Sequence, residues 1–146
     1  MIYLDSSALV KRYVQEDGTD VVKSILAGDD LMTTSKLSYP EILSALMRKV
    51  RAGEIERKTF NGIVDMLDKD WGYFLVLDFH NDLLQIVKML IGKHPLKAAD
   101  AIHLSSALWL KASSKAEVTF VASDSSLVKA ARTEKLQVMN PLDGAK

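Results

Sequence analysis

The chain has 146 residues, with 19 Lys and Arg balanced by 19 Asp and Glu, a hydrophobic fraction of 48% and a charged fraction of 26%. That length suits one domain over 1–146 with a core of its own, and the composition excludes disorder, collagen-like repeats and low complexity. Zero net charge excludes a molecule coated in basic surface, and the lack of cysteine excludes disulfides and thiolate metal sites.

Short apolar runs alternate with longer segments of helical period. The runs are Ile2–Leu4, Leu31–Thr34, Phe74–Leu77, Val118–Ala122 and Gln137–Met139, each too short for a helix and read as strands. Helices are expected over about 6–15, 19–28, 38–52, 55–70, 79–92, 96–113 and 124–135. Phe60, Ile63, Val64 and Leu67 form an apolar stripe, simplest as core or a dimer surface, and Gly53 interrupts the pattern before it. Residues 38–70 therefore read as a helical hairpin. Strand–helix alternation predicts an α/β fold: a three-layer α/β/α sandwich around a parallel sheet of four to five strands.

No uncharged apolar run approaches the roughly 18 residues of a membrane span. The opening Met1-Ile2-Tyr3-Leu4-Asp5 has no basic stretch and meets an acid early, unlike a signal peptide. A reducing cytoplasm is the expected compartment, without membrane association. The three histidines, His80, His94 and His103, are scattered, which argues against an imidazole-built metal site.

In such a sheet, ligands gather beyond the carboxyl ends of the strands, and four acids can reach that edge. Asp5 closes the first run and precedes Ser6-Ser7-Ala8; a helix N-cap and a functional acid account for it equally. Asp124 repeats the arrangement after Val118–Ser123. Two strands delivering an acid to one edge favour function, because capping is served equally well by Ser, Thr or Asn. Asp100 shares a helical face with Leu96, Leu104, Ala107 and Leu108, and a carboxylate on an apolar stripe is costly unless paired or coordinated. Glu41, in Ser38-Tyr39-Pro40-Glu41, matches a capping box, with proline in the first turn, and alone would be structural. Asp78 follows a strand-like run and could face the same site, but Asp82 nearby points instead to an exposed helix start. His103, on a largely apolar helix, is expected to be a satisfied core histidine rather than a ligand.

These segments resemble the PIN-domain nucleases (the PilT N-terminus family), and among them the small VapC-like toxins of toxin–antitoxin pairs. The matching stretches are Tyr3–Lys11, Ser38–Leu43, Ala99–Leu104 and Phe120–Asp124. The resemblance maps the family's acidic set onto Asp5, Glu41, Asp100 and Asp124. It implies Mg²⁺ or Mn²⁺ dependence, cleavage of single-stranded or loop RNA, homodimerisation and neutralisation by an antitoxin. Many members carry Thr or Ser two residues before the last acid; here that residue is Ala122, and Ser123 is the candidate substitute.

The residues support this chemistry independently. Oxygen-only ligation selects Mg²⁺ or Mn²⁺, and clustered carboxylates raise one another's pKa until a dication joins them. Asp5 and Asp100 are assigned as primary ligands, Asp124 as completing the site toward a second ion, and Glu41 as holding or activating the attacking water. Ser6 would orient Asp5, with Ser123 supporting Asp124. Candidate RNA contacts are Lys11, Arg12, Arg48, Lys49 and Arg51, although at least half of them are expected to be a solvated helix face. Two rivals stand beside this reading. One is a phosphatase-like or receiver-like α/β domain, for which Ser6 and Ser7 occupy positions that should be acidic. The other is a catalytically weak PIN-like protein-interaction module, against which the complete acidic set argues.

Overall fold

The computed structural model of the chain describes residues 1–143. Its five strands are β1 (Ile2–Leu4), β2 (Met32–Ser35), β3 (Leu75–Leu77), β4 (Thr119–Val121) and β5 (Gln137–Met139). They form one sheet in the order β3-β2-β1-β4-β5, and every neighbouring pair is parallel. The helices are α1 (Ser6–Leu9), α2 (Thr19–Leu26), α3 (Ser38–Arg51), α4 (Arg57–Trp71), α5 (Leu84–Lys93), α6 (Ala98–Ser114) and α7 (Ser125–Thr133). Strands are added outward from β1 to β3, after which the chain returns to the other side of β1 for β4 and β5. The order therefore reverses between β1 and β4, the kind of switch point beyond whose carboxyl ends open α/β sheets bind their ligands.

Side-chain alternation along the strands splits the core in two. Tyr3 and Phe120 point to one face, where they meet Leu90, Leu104, Ala107 and Leu127 from α5, α6 and α7. Leu4 and Val121 point to the other, against Leu9, Val22, Ile42, Leu46 and Leu67 from α1 to α4. This is the expected α/β/α sandwich, and the Ile63–Leu67 stripe belongs to its core. β2 is buried along its whole length despite the sequence Met-Thr-Thr-Ser. Its hydroxyls are satisfied locally: Thr33 Oγ1 donates to the Ile2 carbonyl at 3.0 Å and Thr34 Oγ1 to that of Leu4 at 2.7 Å. Buried polar groups so paired cost little.

Two expected helices are shorter and broken. The segment expected as 6–15 is α1 followed by a 3₁₀ turn over Val10–Arg12, and that expected as 79–92 begins with a 3₁₀ turn over Asn81–Leu83 before α5. The hairpin of α3 and α4 forms as expected, with Gly53 left-handed at φ +74° just past the end of α3.

Gly18, which caps α2, is also left-handed, at φ +90°. A Cβ there would stand 3.0 Å from both the Cβ and the carbonyl of Pro141. Gly18→Ala is expected to destabilise the chain by about 1–3 kcal/mol. Urea denaturation checks it, and an unchanged midpoint would contradict this close approach.

Candidate active site between β1 and β4

Asp5 follows β1 directly and is 2% exposed. Its Oδ1 accepts the Ala8 N–H at 2.8 Å, so the N-cap reading is correct. The hydroxyl that orients it is that of Ser7, 2.9 Å from each carboxylate oxygen, and not that of Ser6 as expected. The reason is local: with Asp5 as cap, the side chain two positions on turns back over it. Burial pushes the Asp5 carboxyl up to about 6, against the charge of His103 and the Ala8 and Ser7 hydrogen bonds, and the charge of Asp100 adds to the rise.

Glu41 does not form a capping box. α3 starts at Ser38, one residue earlier than that motif requires, so Glu41 falls at the fourth helical position. Ser38 Oγ instead shares a hydrogen bond with Thr34 Oγ1 at 2.7 Å. The Glu41 carboxylate turns toward α6, where Oε1 lies 2.6 Å from Nε2 of His103. His103 is buried and its Nδ1 is 2.9 Å from the Tyr3 hydroxyl, so it is the satisfied core histidine expected, with both nitrogens used. What the sequence reading missed is that one of its partners is a site acid.

Asp100 lies in the first turn of α6, nearer the helix start than the expected boundary at residue 96 implied. The helix dipole therefore favours its charge after all. It is half-buried, and burial followed by the charge of Asp124 raises its pKa, with a smaller contribution from Glu41. Asp124 caps α7, its Oδ1 accepting the Leu127 N–H at 3.0 Å, and is exposed. Beside it, Ser123 Oγ is the one buried side-chain polar atom without a hydrogen-bond partner among the described residues. Asp100 thus lies within electrostatic reach of the other three: it raises the Asp5 carboxyl, and Asp124 and Glu41 raise its own.

The basic residues divide sharply. Lys11 is buried, and its ammonium pairs with Glu16 at 3.0 Å. Arg12 reaches away to α4, where Nε and Nη2 grip Asp70 at 2.5 and 3.1 Å. Burial works against ionisation of Asp70, but hydrogen bonds from Arg12 and Tyr13 outweigh it and hold its carboxyl below the usual range. These pairings remove Lys11 and Arg12 as ready phosphate contacts. Lys49 pairs with Glu54 at 3.3 Å, while Arg48 and Arg51 are exposed. Arg48 lines hollows of about 360 and 320 Å³ that both include Glu41, the second also bounded by Ser6, Ser7 and Lys11. Asp78 is exposed and paired with Lys36 at 2.7 Å, so it is not a member of the acidic group. A larger cleft of about 530 Å³ opens at the amino ends of β2 and β3, beside Arg12, Asp70 and Phe74, away from these acids.

The donor set is all oxygen, with one carboxyl held buried at raised pKa and an unpartnered hydroxyl nearby, which suits a hard divalent cation. Among the described residues no three His, Asp or Glu side chains already stand grouped around a metal position. Ligation would need side-chain adjustment at half-buried Asp100 and at exposed Asp124, whose capping bond to the Leu127 N–H engages only Oδ1.

Such a fold and such a site define a doubly wound parallel α/β domain with acidic side chains at its switch point. The PIN domain model matches residues 2–133, and the chain belongs to the PIN domain family. It is similar to Ribonuclease VapC45 of Mycobacterium tuberculosis (strain CDC 1551 / Oshkosh), 32% identical over 112 residues, 74% of this chain and 75% of the relative. FitAcB from Neisseria gonorrhoeae has the same fold, with a TM-score of 0.70 at 19% identity over 97% of this chain and 98% of that one. A toxin–antitoxin complex from Klebsiella pneumoniae gives 0.62 at 13% identity, again over 97% and 98%. Family membership sets aside the phosphatase and receiver readings. No helix among the described residues is long and apolar enough to cross a membrane.

The raised Asp5 carboxyl has a stability consequence. Its folded pKa of about 6 exceeds the usual 3.8, so its favourable contribution is complete below about pH 4 and disappears as pH rises through 6. At neutral pH without divalent metal, Asp5→Asn is expected to stabilise the fold by up to about 3 kcal/mol, since Asn also caps well. Thermal melts from pH 4 to 8 check it. The gap between variant and wild type should open between pH 4 and 6, and a variant less stable at every pH would refute the buried-charge account.

Proposed function

We propose that this chain is a Mg²⁺- or Mn²⁺-dependent endoribonuclease, acting in the cytoplasm as the toxin of a toxin–antitoxin pair. The observation that carries the reading is the buried Asp5 carboxylate at the β1–β4 switch, whose hydrogen bonds do not offset its burial and whose pKa the charge of Asp100 raises further. Support comes from membership of the PIN domain family and from relatives named Ribonuclease VapC. An antitoxin protein is the proposed partner because the same fold occurs in a toxin–antitoxin complex. Homodimerisation is proposed from the family resemblance.

Asp5 and Asp100 would hold the cation, with Asp124 and Ser123 completing its surroundings. A bound dication supplies acidification of water and stabilisation of charge on the phosphorane and leaving oxygen. Glu41 would take the proton of the attacking water, having one carboxylate oxygen already fixed by His103. In-line attack then leaves a 5′-phosphate and a 3′-hydroxyl. Of the five basic candidates, Arg48 and Arg51 are those left exposed, without an ion pair among the described residues, to meet the RNA backbone, and Arg48 lines the Glu41 hollows.

Asp100→Asn removes charge while keeping shape. It is expected to retain the fold, shown by an unchanged circular dichroism spectrum, and to lower metal-dependent cleavage of single-stranded RNA by at least about 100-fold. Cleavage at the wild-type rate would overturn the assignment.

A further inference from the structure

We infer that His103 is a positioning residue that holds Glu41 by one carboxylate oxygen and leaves the other to receive a proton. The inference rests on the reading of Glu41 as the group that serves the attacking water. It goes further by naming the unit that makes a partly exposed glutamate precise enough for that task.

The geometry runs in one line from core to site. Phe120 and Tyr3 stack across adjacent strands with ring centroids 5.4 Å apart and 10° between their planes. Tyr3 is fully buried, so its hydroxyl is a fixed point. That hydroxyl meets His103 Nδ1 at 2.9 Å, and the His103 ring, 1% exposed, meets Glu41 Oε1 at 2.6 Å through Nε2. A carboxylate only accepts hydrogen bonds, so Nε2 carries a hydrogen and donates it to Glu41. The bond is short and assisted by the carboxylate's charge.

Two features separate this from a core histidine that happens to be satisfied. The Glu41 side chain is 29% exposed, so without a fixed partner its carboxylate would sample several rotamers, and only Oε1 is engaged by His103. His103 also lies three residues after Asp100 on α6, the spacing that puts two side chains on one helical face. One helix thereby sets both the acid proposed for the cation and the group that aims Glu41. A shift of α6 would move both together.

The test combines a double-mutant cycle with a spectrum. Single-turnover cleavage of single-stranded RNA with Mg²⁺ is measured for His103→Leu, His103→Gln, Glu41→Gln and the Leu and Gln changes combined. Glutamine can reproduce both contacts, its amide donating to Glu41 and its carbonyl accepting from Tyr3. The expected result is a loss of about 10–100-fold in His103→Leu with KM nearly unchanged, and recovery to within a few-fold in His103→Gln. On the Glu41→Gln background the Leu change should cost little more, because the residue acts through Glu41. Losses that multiply, or a Leu variant as active as Gln, would overturn the inference. If His103→Leu fails to fold, Tyr3→Phe with His103→Leu removes the orphaned hydroxyl and takes its place. Imidazole ¹⁵N–¹H correlation of the wild type should show His103 Nε2 protonated, and an unprotonated Nε2 would overturn the donor assignment without any activity measurement. Should the wild type leave RNA uncut at every metal concentration, the nuclease reading fails, and the spectrum still decides whether His103 donates to Glu41.

Discussion

A carboxylate placed at the dry end of a central strand is the constraint around which the rest is arranged. Asp5 is nearly inaccessible, and hydrogen bonds from Ala8 and Ser7 do not offset the penalty of burial. Nothing in the packing requires an acid there, because Asn would cap the short helix as well. The fold thus tolerates an unfavourable group at the point where its strand order reverses. Stability given up at such a point is what a binding site for a cation demands, since the cation returns the missing countercharge.

The parallel sheet makes the arrangement possible. All five strands point the same way, so their carboxyl ends lie along one edge, and the order reverses there between β1 and β4. Asp5 and Asp124 arrive at that reversal from neighbouring strands, one buried and one exposed. α6 contributes Asp100 from its first turn and α3 contributes Glu41, so the acids come from both helical layers. The two layers are joined across the sheet's edge by the Glu41–His103 hydrogen bond, a contact between residues 62 apart in sequence.

Much of this was legible in the residues, for identifiable reasons. Helices and strands followed from periodicity, and the candidate acids stood out where an apolar run or stripe was interrupted by a charge. What depended on a single turn of helix was less accessible. Starting α3 at Ser38 released Glu41 from the capping box to reach His103, and starting α6 at Ala98 moved Asp100 into the favourable field of the helix dipole. Choosing Ser6 over Ser7 missed a consequence of N-cap geometry that the sequence contained. The fates of Lys11 and Arg12 could not be read locally: Arg12 is claimed by Asp70, 58 residues away, and only tertiary packing brings them together.

The central claim is that Asp5 and Asp100 converge on one hard cation. Anomalous diffraction from crystals equilibrated with Mn²⁺, recorded on both sides of the manganese edge, tests it most directly. The account predicts a peak bonded to an oxygen of each of these two carboxylates. A peak confined to surface acids such as Asp78, or crystals saturated with Mn²⁺ that show none between Asp5 and Asp100, would contradict it.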